Sequence, residues 1–196
     1  MDELRKQGVK LAEGVIGGTL FKDDLFFCAS LNRCINLIDG FILLLNTRNL
    51  TCAGAILHLQ IDNCLRTYAA FIAEDRNKVI DCIINGKRID KEKDTHGCKM
   101  TDGYLKKKLE QMDVSIAMIY DNASGYIHLS DKAFYETVIS CDNNAIEFQV
   151  GRELPEKRNP ILVEMLEAFI HFVKLYYKMI IAVVESKKRY DLKNNN

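Results

Sequence analysis

The stretch Pro160-Ile-Leu-Val-Glu-Met-Leu-Glu-Ala-Phe-Ile-His-Phe-Val-Lys-Leu-Tyr-Tyr-Lys-Met-Ile-Ile-Ala-Val-Val-Glu-Ser-Lys-Lys188 decides the fold class. Its polar residues include Glu164, Glu167, His171, Lys174, Lys178 and Glu185. They recur at steps of three, four, three, four and seven, the period of an α-helix and not that of a strand. They form one narrow stripe, and nearly all the rest of the helix is apolar. Pro160 suits its first turn, where a backbone N–H has no partner to lose. Acids near the start and lysines near the end complement the helix dipole. An apolar face this wide must be covered on several sides, either by the chain's own helices or by a second copy of the chain. A homodimer through this helix is therefore one expectation.

Working outward, a second helix of the same kind starts at Asp23 or Asp24 and runs to about Asn46. It is apolar nearly all round, and Asn32, Arg33, Asn36 and Asp39 within it must find partners or line a cleft. Residues 2–16 read as an amphipathic helix ended by Gly17-Gly18. Thr51 is expected to cap a helix over 52–73, and a shorter helix covers 75–84. Residues 85–100 are a polar loop, Thr101 or Asp102 caps a helix to about Met112, and 114–128 is helical, with Gly125 a candidate break. The pattern changes once. Ile146, Phe148 and Val150 alternate with Glu147 and Gln149, and Asp142-Asn-Asn144 supplies a turn. The fold expected is mostly α, a multi-helix bundle of five to seven helices with one small β-hairpin near 136–151. Residues 1–190 form a single helical domain, and 191–196 a frayed tail.

Composition narrows the class further. The chain has 196 residues, 48% hydrophobic and 28% charged, which allows a sizeable core and argues against disorder. Lysine plus arginine equals aspartate plus glutamate at 27 each, so any pull toward nucleic acid must come from a local patch. The seven cysteines have no CxxC spacing, and Met1-Asp-Glu-Leu-Arg-Lys opens no signal peptide. A cytoplasmic protein with cysteines as small buried apolar residues is expected. No membrane span is expected either. Ile35–Leu45 is short and carries Asp39, and Ala168–Val184 is interrupted by His171, Lys174 and Lys178.

Three groups of residues could carry chemistry. On a continuous helix Tyr120, Ser124 and His128 stand at i, i+4 and i+8, a phenol, a hydroxyl and an imidazole on one stripe. Histidine suits proton transfer near neutral pH, so His128 reads as a general acid/base; the alternative is a satisfied histidine at a helix end. His58, Asp62 and Arg66 repeat the spacing on the third helix, with Gln60 and Asn63 adding polarity. Asp62 before Arg66 is the favourable ion-pair order. That stripe either lines a cleft or is a buried network. Third, residues 86–110 hold eight lysines and arginines, Lys87, Arg88 and Lys99 among them, against five acids. Such a run can contact phosphates or can be a solvated face. No metal-ligand set, P-loop or GxGxxG is present, so neither a metal nor a cofactor is expected.

The runs Leu59-Gln-Ile-Asp-Asn-Cys-Leu-Arg-Thr-Tyr-Ala69, Asn85-Gly-Lys87, Lys99-Met-Thr-Asp-Gly-Tyr-Leu105 and Ser124-Gly-Tyr-Ile-His-Leu-Ser130 resemble a bacterial family of uncharacterised helical proteins. The likeness covers about residues 20–150, and SGYIHLS is its most specific part. More distantly the chain is similar to the HEPN superfamily of helical, often dimeric proteins, many of them ribonucleases of toxin or antiphage systems. Their site pairs an arginine with a histidine four to six residues later. His128 matches the histidine, but Asp121 or Asn122 stands where the arginine belongs. The resemblance implies RNA as the partner and, if there is activity, metal-independent RNA cleavage in a stress or defence system. His128 would then be the acid/base, with Asn122, Ser124 and Tyr120 positioning it. Asp62, Arg66, Gln60, Lys87, Arg88 and Lys99 are the binding residues expected. The alternative readings are a non-catalytic interaction module acting as a homodimer, and a small-ligand pocket among the polar stripes.

Overall fold

A computed structural model describes residues 1–127, 137–142, 145–148, 150–151 and 156–194. In chain order these form α1 (Asp2–Ile16), α2 (Lys22–Asn46), α3 (Leu50–Ile72), α4 (Arg76–Ile84), α5 (Asp102–Glu110), α6 (Ser115–Ser124), β1 (Val138–Asp142), β2 (Ala145–Phe148), a 3₁₀ turn (Glu156–Arg158) and α7 (Asn159–Asn194). The protein is a mostly α, multi-helix fold with one hairpin. β1 and β2 pair antiparallel, with Cys141 opposite Ile146 and an irregularity between Val138 and Ser140.

Four long helices make the frame. α1 packs on α2 and α7, and α3 packs on the same two, so the helices close a ring with α1 and α3 on opposite sides. α3 is also the platform for α4, α5 and α6. The wide apolar face of α7 is consumed inside this ring: Met165, Phe169, Phe172, Val173, Tyr176, Tyr177 and Ile180 are all buried within the one chain. The part of α7 that faces the ring is thus covered by the chain's own helices, while Val163 and Ile181 stay exposed. At the centre, the rings of Phe41 and Phe169 stack at 4.0 Å with 6° between their planes.

A polar seam runs through this core. Ser30 Oγ lies 2.6 Å from Tyr176 Oη and 3.2 Å from Thr67 Oγ1, and Asn63 Nδ2 donates to the Ser30 carbonyl at 3.2 Å. These bonds satisfy groups that burial would otherwise penalise. Cys34 and Cys64 sit in the same seam and are fully buried, whereas Cys52 and Cys98 are exposed and Cys28 and Cys82 half-buried. The expectation that most cysteines are core residues therefore holds for two of these six.

The ring is locked where α2 starts and α7 nears its end. Asp24 and Lys187 form an ion pair at 4% and 5% side-chain exposure. Asp24 Oδ2 also accepts the Phe21 N–H at 2.7 Å, the reciprocal half of a capping box, so Phe21 and neither Asp23 nor Asp24 stands at the N-cap of α2. Gly17 adopts φ 55°, a left-handed conformation in which a side chain would be strained, and this ends α1. The next amide, Gly18 N–H, donates to Asp191 Oδ2 at 3.1 Å. Residues 191–194 accordingly continue α7, and Asp191 ties its end to the body of the protein; residues 195–196 of the expected frayed tail lie outside the described residues. Elsewhere Asn49, not Thr51, caps α3 by accepting the Cys52 N–H at 3.1 Å, and Thr101 caps α5 as its sequence suggests.

α2 has the length its sequence predicts, and that bears on the expectation that no segment spans a membrane. With 25 residues it meets the length and composition needed to cross a bilayer, and 33% of its most apolar stretch is buried here. Its buried face, with Phe27, Leu31, Cys34, Ile38 and Phe41, is turned into the bundle.

Candidate functional site

The polar stripe of α3 faces outward onto α5, α6 and the 85–101 segment. Asp62 stands at its centre. Its Oδ2 accepts from Arg33 Nη1 of α2 at 2.9 Å, and its Oδ1 accepts from Arg66 Nε at 3.0 Å. Arg66 Nη2 reaches on to Asp102 Oδ1 at 2.7 Å. One carboxylate thus holds two guanidinium groups, and a second fixes the outer end of Arg66. All four side chains keep partial contact with solvent, between 27% and 52% exposed. Charge pairs of this exposure contribute little to stability. Their geometry matters more: both guanidiniums are held in place beside an opening.

That opening is a cavity of about 380 Å³. Arg33, Asp62, Arg66 and Asp102 form one wall, and Lys87, Arg88, Asp90 and Ile89 form the other. Asp62, Arg66, Lys87 and Arg88, four of the binding residues expected from sequence, therefore meet at one place. Arg88 Nη2 pairs with Asp90 Oδ2 at 3.0 Å, while Asp90 Oδ1 is buried without a hydrogen bond. Four cations and three carboxylates line the cavity, a net positive surface.

The loop that brings Lys87 and Arg88 here is anchored by Asp94, which is buried at 1% exposure. Asp94 Oδ1 accepts the His96 and Cys98 N–H groups at 3.0 and 2.8 Å, and Oδ2 accepts the Tyr104 hydroxyl at 2.5 Å. Burial pushes the Asp94 carboxyl up, but the Tyr104, Cys98 and His96 bonds outweigh it, and its pKa lies below the usual carboxylate value. Backbone bridges Ala73–Asp94 and Lys93–Lys99 complete the anchor. Lys99 sits on this bridge, exposed and away from the cavity wall. Gln60 faces the opposite way: it is fully buried, its Nε2 4.0 Å from Cys64 Sγ and its Oε1 without a hydrogen bond, so it belongs to the core and not to the cleft.

The stripe of Tyr120, Ser124 and His128 is divided differently. α6 ends at Ser124, and the next residues turn, with Tyr126 N–H donating to Ala123 O and Ile127 N–H to Ser124 O. The continuous helix that the i, i+8 spacing requires is therefore absent. The reason lies on α3. Gly54 has no Cβ, and the Tyr126 ring occupies that space, 2.3 Å from where a Cβ would stand. His128 lies outside the described residues. The Ser124 hydroxyl donates to the Tyr120 carbonyl at 3.0 Å, back onto its own helix. Tyr120 turns toward α3, its ring 5.3 Å from that of His58, with Lys106 Nζ 5.1 Å from its centroid. Burial, with Asp102 second, raises its phenol pKa. Asn122 points to the other side of α6, onto a separate cavity shared with α7. Tyr120 and Asn122, proposed together from sequence, thus serve different surfaces.

Arg33, Asp90 and Asp102 are the charged cavity residues that sequence reading did not assign to a site. Arg33 carried a signal, a charge in an otherwise apolar helix. Asp90 and Asp102 carried none, because a loop acid and a first-turn acid are ordinary surface residues. No group of histidines, cysteines and acids that could hold a metal occurs among the described residues. No family model, curated protein or solved structure matches this chain.

Proposed function

We propose that the protein binds RNA through its phosphates, with the cavity between α3 and the 85–101 segment as the primary contact. The supporting observation is the convergence of Arg33, Arg66, Lys87 and Arg88 on one opening. Phosphate recognition needs cations held at fixed positions, and guanidinium groups fixed by carboxylates are well suited to it. Lys107 and Lys108 on α5 extend positive charge beyond the cavity. The HEPN-like resemblance selects RNA among phosphate ligands. Any cleavage would rest on His128, with Tyr120, whose ring lies 5.3 Å from that of His58, as the phenol proposed beside it.

The test is fluorescence anisotropy with a labelled single-stranded 20-mer RNA at low and moderate salt. Lys87→Ala/Arg88→Ala removes two exposed cations without touching the core. Binding should fall by roughly tenfold or more, and the salt slope should drop by about one to two. Unchanged affinity in that variant, or no binding by the wild-type protein at low salt, would reject the reading. Incubation of the RNA with wild-type protein and His128→Ala, read on a gel, separates binding from cleavage.

A further inference from the structure

The polar stripe of α7 is not used by the basic cavity. Glu164, Glu167 and His171 instead border a second cavity of about 630 Å³ between α7 and α6. Its walls are apolar: Leu57 from α3, Met118 and Ile119 from α6, and Met165 from α7. Among the described residues no lysine or arginine lines it. At one end His171 Nε2 stands 3.1 Å from Asp113 Oδ2, a close approach whose angle does not make a hydrogen bond. Asp113 is held as a carboxylate by the Ser115 hydroxyl and amide, at 2.7 and 3.0 Å.

We propose that this cavity is a second ligand site, taking a small organic amine with an apolar body whose ammonium group lies between Glu164 and Glu167. Its volume falls in the middle of the range of small-molecule sites, roughly 300–1,000 Å³. Charge complementarity selects the sign of the ligand. Both glutamates are exposed, three residues apart on one face of α7, and their negative charge, with no cation among the described lining residues, repels phosphates and carboxylates. The two methionines select an apolar body without demanding one shape, since thioether side chains adapt to irregular surfaces. Tyr126, packed against Gly54, also lines the cavity. The site is independent of the basic cavity and would hold its ligand whether or not RNA binds.

The experiment is isothermal titration with three probes of equal length: 4-phenylbutylamine, 4-phenylbutanol and 4-phenylbutyrate. The amine should saturate the wild-type protein with a Kd below about 1 mM, a modest affinity for so small a ligand. The alcohol and the acid should bind roughly tenfold more weakly or not at all. Glu164→Gln/Glu167→Gln changes only exposed groups and should keep the wild-type circular dichroism while losing about tenfold in amine affinity. Ala168→Phe, which fills the cavity, should abolish binding of all three. Equal binding of the three probes, amine affinity unchanged in the double glutamine variant, or no amine binding up to about 5 mM would overturn the proposal.

Discussion

The Asp24–Lys187 pair offers the most direct test of how the bundle is closed. The residues are 163 positions apart, nearly dry, and join the first turn of α2 to the late turns of α7. Lys187→Met keeps most of the side-chain volume and removes the ammonium. Asp24 would then retain the Phe21 amide as its one hydrogen-bond donor among the contacts described above, at 2.7 Å. The Phe21 ring would lose the ammonium 4.4 Å from its centroid. Removing one partner of a buried ion pair costs about 3–5 kcal/mol, because the remaining charge has neither water nor counter-ion. For a chain of this size each kcal/mol shifts Tm by about 2–4 °C, so a fall of roughly 6–20 °C is expected. Urea unfolding followed by circular dichroism at pH 7 measures it directly. Asp24→Asn/Lys187→Met supplies the control. It removes both charges and keeps an oxygen for the Phe21 amide, so it should recover about 1–3 kcal/mol relative to Lys187→Met alone. A loss below about 1 kcal/mol in the single variant, or strict additivity in the double, would refute the account of this pair as a buried lock.

Other expectations follow from the core and the loop anchor. Burial pushes the Cys34 thiol up from 9.0 to about 12, so the folded state keeps it neutral where the unfolded chain ionises. Its contribution is complete below pH 9 and is lost as pH rises from 9 toward 12; Cys34→Ser or Cys34→Ala should flatten the alkaline limb of a stability-against-pH curve. Gly8→Ala would place a Cβ 2.5 Å from Tyr177 Oη and 3.0 Å from Ile35 Cγ1. Although alanine favours a helix by about 1 kcal/mol, displacing the Tyr177 hydroxyl from the Leu4 carbonyl should leave a net loss of about 1–3 kcal/mol in chemical denaturation. Asp94→Ala removes the acceptor of the His96 and Cys98 amides and of Tyr104, so hydrogen exchange at those amides should lose its protection while α1 and α7 keep theirs. Since the folded Asp94 pKa is lowered, the stability it supplies is present above the ordinary carboxylate value of 3.8 and disappears as pH falls through the folded value.

Much of the helical framework was legible from local pattern. The stripe in 160–188 is a property of neighbouring turns, and so are the Asp62–Arg66 pair and the Thr101 cap; each is settled within one or two turns of chain. The alternation around Ile146 and Phe148 located the hairpin for the same reason. The same local logic was less decisive at α6, where Tyr120, Ser124 and His128 have helical spacing while Gly125 marks a candidate break. The chain leaves the helix at Ser124, next to the place where Tyr126 packs against Gly54, and no local pattern contains that contact.

The candidate site divides along that line. Its residue types were visible in sequence as two separate groups, an α3 stripe and a basic loop. Their meeting was not, because it depends on Asp94 pinning the loop and on Arg66 bridging to Asp102. Nor could sequence tell whether α7's apolar face awaits a partner or is already covered, since an apolar side chain reads the same against a neighbouring helix or another subunit. That this protein is built of helices can be read from its residues alone, because helix formation is governed by contacts three and four residues apart. Which charges share a cavity and which apolar faces are covered emerges on folding, because those depend on side chains that meet across tens to more than a hundred residues of chain.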